Sequence, residues 1–155
     1  MFVMSKNYFY FIIITLSLTG CNNHTSLIHN FQEAKWDYTE SVTFNIDVHD
    51  TSKTYDLMIL FCNTLSYQYQ NLYLIIETRH KNNTLNIDTV HYNITDKYGK
   101  WLGKGVSSVK NNYFNYKKNV VFDQTGAYSI ELKHGMRTNP LVGSNSVGLQ
   151  IIQND

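Results

Sequence analysis

Two lysines and three glycines crowd into YGKWLGKG, residues 98–105. A phosphate-binding loop uses such residues for one chemistry. Its glycine amides close on the phosphate, its lysine reaches the oxygens, and a Ser or Thr hydroxyl holds magnesium. That loop reads G-x-x-x-x-G-K-[ST] and sits between a strand and a helix. Here three residues, not four, separate Gly99 from Gly103, and Gly105 stands in the hydroxyl position. The following VSSVKNNYFNY has no apolar face of helical period. No nucleotide is expected. The stretch predicts a bend between strands, with glycine supplying positive φ and Trp101 and Leu102 turned toward the core.

The remaining candidates for chemistry are sparse. His24, His29, His49, His80, His91 and His134 show no ligand spacing on any one predicted element, so no metal is expected. Asp47 and Asp50 flank a turn, and Asp88 stands alone on the polar face of its strand. No serine lies in a nucleophile elbow, and nothing points to the paired carboxylates of a glycosidase. The expectation is a protein without catalytic activity. Tyr67, Tyr69 and Tyr73 crowd together in YQYQNLYL. Core filling explains most such rings, and an open tyrosine face would instead dock a protein or a sugar.

Cysteine chemistry points to a lipid. Lys6 precedes an apolar run from Tyr8 to about Leu18, too short to span a bilayer, as in a secretory signal. Leu18–Thr19–Gly20–Cys21 resembles the lipobox of bacterial lipoproteins, in which the peptidase cuts before Cys and the thiol carries diacylglycerol. The mature chain would begin at Cys21, with diacylglycerol on its sulfur and an acyl group on its nitrogen. Several acyl chains on one residue exceed the single chain that binds a membrane only marginally. Cys62 then has no partner and lies in the apolar LMILFCN, as a buried thiol does. Removing Lys6 leaves the basic residues equal to the twelve acidic ones. A neutral protein does not grip nucleic acid through its phosphates. The residues after Cys21, NNHTS, lack the Asp that retains lipoproteins in the inner membrane and lack an acidic export cluster. The expected place is the cell envelope, at the outer membrane and facing the periplasm.

The elements that would position these residues are strands. VTFNIDV alternates Val42, Phe44, Ile46 and Val48 against polar residues. YDLMILFC (55–62) and NLYLIIETR (71–79) are denser apolar runs. LNIDTVHYNI alternates Leu85, Ile87 and Thr89 against Asn86 and Asp88, then shifts phase at Val90, which suggests a bulge. NVVF, AYSIELKH and VGLQII complete the set, with turn signals between them. Seven or eight short strands and no amphipathic helix predict an all-β, jelly-roll-like sandwich. The expected organisation is a signal peptide over 1–20, a lipidated N-terminus and polar tether over 21–40, and the sandwich over 41–155.

The wording of these segments resembles the gliding-motility lipoprotein H (GldH) family of Bacteroidota. TDKYGKWLGKG carries its Gly99, Trp101, Gly103 and Gly105. YDLMILFCNTLSYQYQNLYLIIE resembles the family's central strand pair, and DTVHYNI follows it. VVFDQTGAYSIELKHGMR brings Gly126, Tyr128, Met136 and Arg137. NPLVGSNSVGLQI resembles the closing strand, with Gly148. The chain departs from the family where Asn63 replaces an Arg, Gln68 a Pro and Ser144 an Ile, which are expected to be loop and surface positions. The resemblance implies a non-enzymatic envelope lipoprotein required for gliding motility and the linked type IX secretion machinery, with protein partners there and no cofactor. A carbohydrate-binding jelly-roll module is the alternative. Asp88–Thr89–Val90 also matches the Bacteroidota O-glycosylation pattern, making Thr89 an acceptor candidate. The sequons at Asn82 and Asn93 carry no such meaning in a bacterium.

Overall fold

A computed structural model describes residues 24–105 and 107–154. The signal segment and Cys21 lie outside the described residues. Eight long strands form two four-stranded antiparallel sheets. One sheet has the order β1(His24–Asn30), β10(Ser144–Asn154), β4(Thr54–Thr64), β7(Val109–Val121). The other has the order β3(Val42–Val48), β8(Gly126–His134), β5(Asn71–His80), β6(Asn83–Asn93). Two short strands, β2(Lys35–Trp36) and β9(Leu141–Val142), pair at one end. The chain crosses between the sheets at every long connection except the β5–β6 hairpin. The first long strand pairs with the last. This is the jelly-roll arrangement that the strand periodicity predicts.

The core follows from period two. In β3, Val42, Phe44, Ile46 and Val48 are buried while Thr43, Asn45 and Asp47 face solvent. Ile130 and Leu132 of β8, Leu72, Leu74 and Ile76 of β5, Ile59 and Phe61 of β4, and Val147 and Leu149 of β10 meet them between the sheets. Each such burial contributes roughly 1.5–3 kcal/mol relative to exposure. Trp36 closes one end, stacked 4.6 Å from Phe31 with its indole N–H donating to the Glu40 carbonyl at 2.8 Å.

Three expectations change. Residues 24–30 are not tether but β1, in register with β10 from His24↔Ile152 to Asn30↔Ser146. The sandwich therefore begins at His24 rather than residue 41. β1 is an edge strand with no buried residue, so its sequence carries no apolar alternation. NVVF is only the end of β7, whose inward residues include Asn112, Phe114 and Tyr116 among polar neighbours. β6 has no phase shift at Val90, and its one register irregularity lies at Leu85, opposite Thr78 and Arg79. Asn86, Asp88, Val90 and Tyr92 are its half-buried residues throughout, whereas Leu85 and Ile87 lie outward, 58% and 61% exposed. Half of its inward face is polar because Asp88, bonded to Asn86, meets Tyr116 and Lys117 of β7 across the open side of the sandwich.

Candidate interaction site on the open side of the sandwich

Residues 94–105 form a strap from the end of β6 to the edge of β7. Ile94 is fully buried and donates its N–H to the Gln70 carbonyl at 2.7 Å. The Asp96 carboxylate then accepts the N–H groups of Tyr98 and Lys100 at 2.8 and 3.0 Å, folding a tight turn. Gly99 sits in that turn at φ 82°, where a residue with a Cβ is strained. Leu102 donates to the Ile94 carbonyl at 2.9 Å. Lys104 then pairs with Asn111 of β7 through two bonds of 3.0 and 2.8 Å.

The other two glycines serve close approach, not positive φ. A Cβ on Gly103 would meet the Asn112 Oδ1 at 2.6 Å, and one on Gly105 the Val109 carbonyl oxygen at 2.3 Å. The amides of residues 96, 98, 99, 100, 102 and 104 all donate within the protein. They hold the strap to the sandwich instead of cradling an anion. Trp101 is half-buried against the core as expected. Leu102 is not: it is 56% exposed and lines a cleft of about 670 Å³ with His91, Tyr92, Lys104 and Tyr113.

Below the strap, a polar network bridges the sheets. Asp88, expected to stand alone, accepts hydrogen bonds from Tyr116 and Asn86 and pairs with Lys117 at 2.7 Å. Burial works against its charge, but the bonds from Lys117, Tyr116 and Asn86 outweigh that and hold its carboxyl at about 2. Burial and the Asp88 charge together push the Tyr116 phenol up. This network was not legible in the sequence, because it requires β7 to be placed opposite β6.

The remaining motif residues divide between the two ends. Met136 and Arg137 follow β8 at the strap end and line a groove with Tyr69, Asn71 and Tyr73. The Met136 sulfur accepts the Tyr73 N–H at 3.4 Å. Gly126, at φ 117°, and Tyr128 lie at the opposite end. There the Tyr128 ring packs on His80 and Phe122, and its hydroxyl donates to the Gln124 carbonyl at 3.0 Å. Gly148 lies under the outer face of its sheet, where a Cβ would meet the Leu27 carbonyl oxygen at 2.7 Å. Thr89 is exposed on the edge strand β6. Two of the departures from the family pattern are buried, contrary to expectation. Asn63 and Ser144 are register partners, both fully buried, and Asn63 accepts a bond from Asn112 at 2.9 Å. Only Gln68 is exposed.

Burial pushes the Cys62 thiol up, against nucleophilic reactivity. Burial holds the His134 imidazole down. Among the described residues, no three His, Cys, Asp or Glu side chains gather as metal ligands. A carbohydrate site needs open ring faces along one groove, and in the strap cleft Tyr92 and Phe114 stack on each other at 4.2 Å and 7°.

Residues 24–151 match the family model described as GldH lipoprotein. The gliding motility lipoprotein GldH homolog of Christiangramia forsetii is 32% identical, with 95% of each chain covered. The gliding motility lipoprotein GldH of Flavobacterium johnsoniae is 28% identical over 77% of this chain and 79% of its own. Among solved structures, the insecticidal delta-endotoxin Cry8Ea1 of Bacillus thuringiensis is similar at a TM-score of 0.41 and 12% identity, covering 85% of this chain and 20% of that one.

Proposed function

Because the chain belongs to the GldH lipoprotein family, we propose that it is a non-catalytic, lipid-anchored subunit of the gliding apparatus and the linked type IX secretion machinery. The observation that carries this reading is the match over residues 24–151, which spans the sandwich from β1 into β10. The anchor is Cys21, bearing diacylglycerol and an N-acyl chain, at the periplasmic face of the outer membrane.

The position of β1 gives this anchor a consequence. Only Asn22 and Asn23 separate Cys21 from His24. Three residue steps reach at most about 11 Å. The sandwich therefore rests against the bilayer at the end where β1 begins, beside the end of β10 and the start of β4. The strap, Met136 and Arg137 lie at the other end. When the strands stand upright, the eleven residues of β6 carry the strap roughly 35 Å from the lipid. A protein built this way acts by presenting a surface to partners in the envelope.

The test is deletion of the gene in a gliding host, followed by complementation with the wild type or Cys21→Ser. Deletion abolishes spreading and secretion of type IX cargo, and only the acylated form restores both. Normal spreading and secretion after deletion refute the subunit role. A Cys21→Ser protein that stays in the membrane refutes the anchor.

A further inference from the structure

Each sheet edge exposes unpaired backbone groups, and folded proteins protect such edges with lysines, brevity or a covering segment. The four edges here differ. β7 carries Lys110, Lys117 and Lys118, and the strap pairs with it at Asn111. β1 and β3 are seven residues each. β6 is different. It runs eleven residues with no lysine or proline, and its one charge, Asp88, is turned inward onto Lys117.

The register shows which groups β6 leaves open. The Tyr73 carbonyl accepts from Gly135 at 2.8 Å and the Tyr73 N–H donates to Met136, so the Tyr73 backbone faces the β8 side. Backbone direction alternates along an antiparallel strand. Leu72, Leu74, Ile76 and Thr78 therefore bond to Tyr92, Val90, Asp88 and Asn86. The N–H and C=O groups of Ile87, Thr89 and His91 point to the free edge, while the register shift opposite Thr78 and Arg79 interrupts the alternation at Leu85. The same residues carry the outward side chains. With Tyr73 at 39% and Ile75 at 37% exposure, Leu85 and Ile87 make an apolar patch that ends at this edge.

Charge defines the partner further. The strap at the top of β6 carries Lys97, Lys100 and Lys104 against one acid, Asp96, whose carboxylate is held by backbone amides. Arg137 lines the neighbouring groove. None of these four cations forms an ion pair among the described residues. A second copy fits poorly. Two β6 strands related by a two-fold run antiparallel, which lays each basic strap beside the other copy's Lys81 turn, where no acid stands within residues 81–84.

We propose that the free edge of β6 is a strand-acceptor site for another envelope protein. It takes an extended segment with apolar residues alternating on one face and a carboxylate at the strap end. The backbone groups of Ile87, Thr89 and His91 supply main-chain hydrogen bonds, and the apolar patch with Leu85 supplies side-chain selection. This holds whether or not the protein serves gliding.

The test is site-specific photo-crosslinking of the full-length acylated chain in its native membrane, from residues 85, 87 and 89 of β6 and from Asn45 on the outer face of β3. One protein is captured from the three β6 positions and not from Asn45. The adduct maps to a segment of alternating apolar residues with Asp or Glu within reach of Lys104 or Arg137. Thr89→Pro removes an outward N–H that β5 does not use, and Ile87→Lys keeps every backbone group while protecting the edge. Each lowers the yield about tenfold, the loss of roughly 1.4 kcal/mol. Lys104→Glu combined with Arg137→Glu lowers it several-fold. A second copy of this chain in the adduct, equal capture from Asn45, or unchanged yield in both edge variants overturns the site. A partner outside the motility and secretion machinery leaves the site standing and overturns the function proposed above.

Discussion

Gly99, Gly103 and Gly105 share one short motif but differ in physical role. At Gly99 a Cβ meets nothing within 4 Å, and only the φ of 82° is at issue. Gly99→Ala is expected to cost about 1 kcal/mol, and Gly99→Asn less, since Asn tolerates left-handed backbone. At Gly105 the obstacle is backbone, the Val109 carbonyl oxygen at 2.3 Å, so the strap itself must move. Gly105→Ala is expected to cost about 1–3 kcal/mol, read as a fall in Tm of roughly 5–10 °C. Equal losses at both positions would contradict this division. The sequence showed that glycine was needed here, but not which need each one met. That depends on β7, which comes later in the chain and whose polar alternation carries no strand signal before its last residues.

At the scale of the element, β1 and the Asp88 network carry the predictions. β1 covers the edge of β10 along seven register pairs. Deleting residues 24–30 is expected to expose that edge and give aggregation or loss of the cooperative thermal transition. A tether, by contrast, could be removed without effect on Tm. Asp88 ties β6 to β7, and its carboxyl sits at about 2, below the ordinary 3.8. A depressed carboxyl contributes fully above about pH 4 and loses that contribution as pH falls toward 2. The side chain is 31% exposed, so the discounted contribution is on the order of 1–2 kcal/mol. Denaturant titrations of wild type and Asp88→Asn should differ by that amount at pH 6 and converge near pH 2. Curves that stay parallel across this range would refute the network's role.

The whole molecule is a jelly roll in which the start of β1 and the strap lie at opposite ends. With the anchor proposed at Cys21, only Asn22 and Asn23 precede His24, and the sandwich sets the height above the bilayer. Inserting about ten Gly/Ser residues after Asn23 adds a flexible reach of roughly 15–20 Å. The insertion leaves acylation and Tm unchanged. If partners engage at a fixed height, it reduces gliding in the complementation assay, and full complementation shows that height does not matter.

Alternation in residues 42–48 and 127–134 and the dense apolar runs at 55–62 and 71–79 determined the all-β sandwich, because each strand signals its own buried face locally. The lipobox and the order of the glycine, tryptophan and tyrosine motifs likewise made the family legible without coordinates. Tertiary structure decided what depended on a distant partner. β1 became a strand because β10 offered an edge to it. Leu85 and Ile87 turned outward because Asp88 and Tyr92 found Tyr116 and Phe114 across the open side. Asn63 and Ser144 proved to be core because they face each other. Periodicity reports a side chain's neighbours along the chain, and burial is set by its neighbours across it.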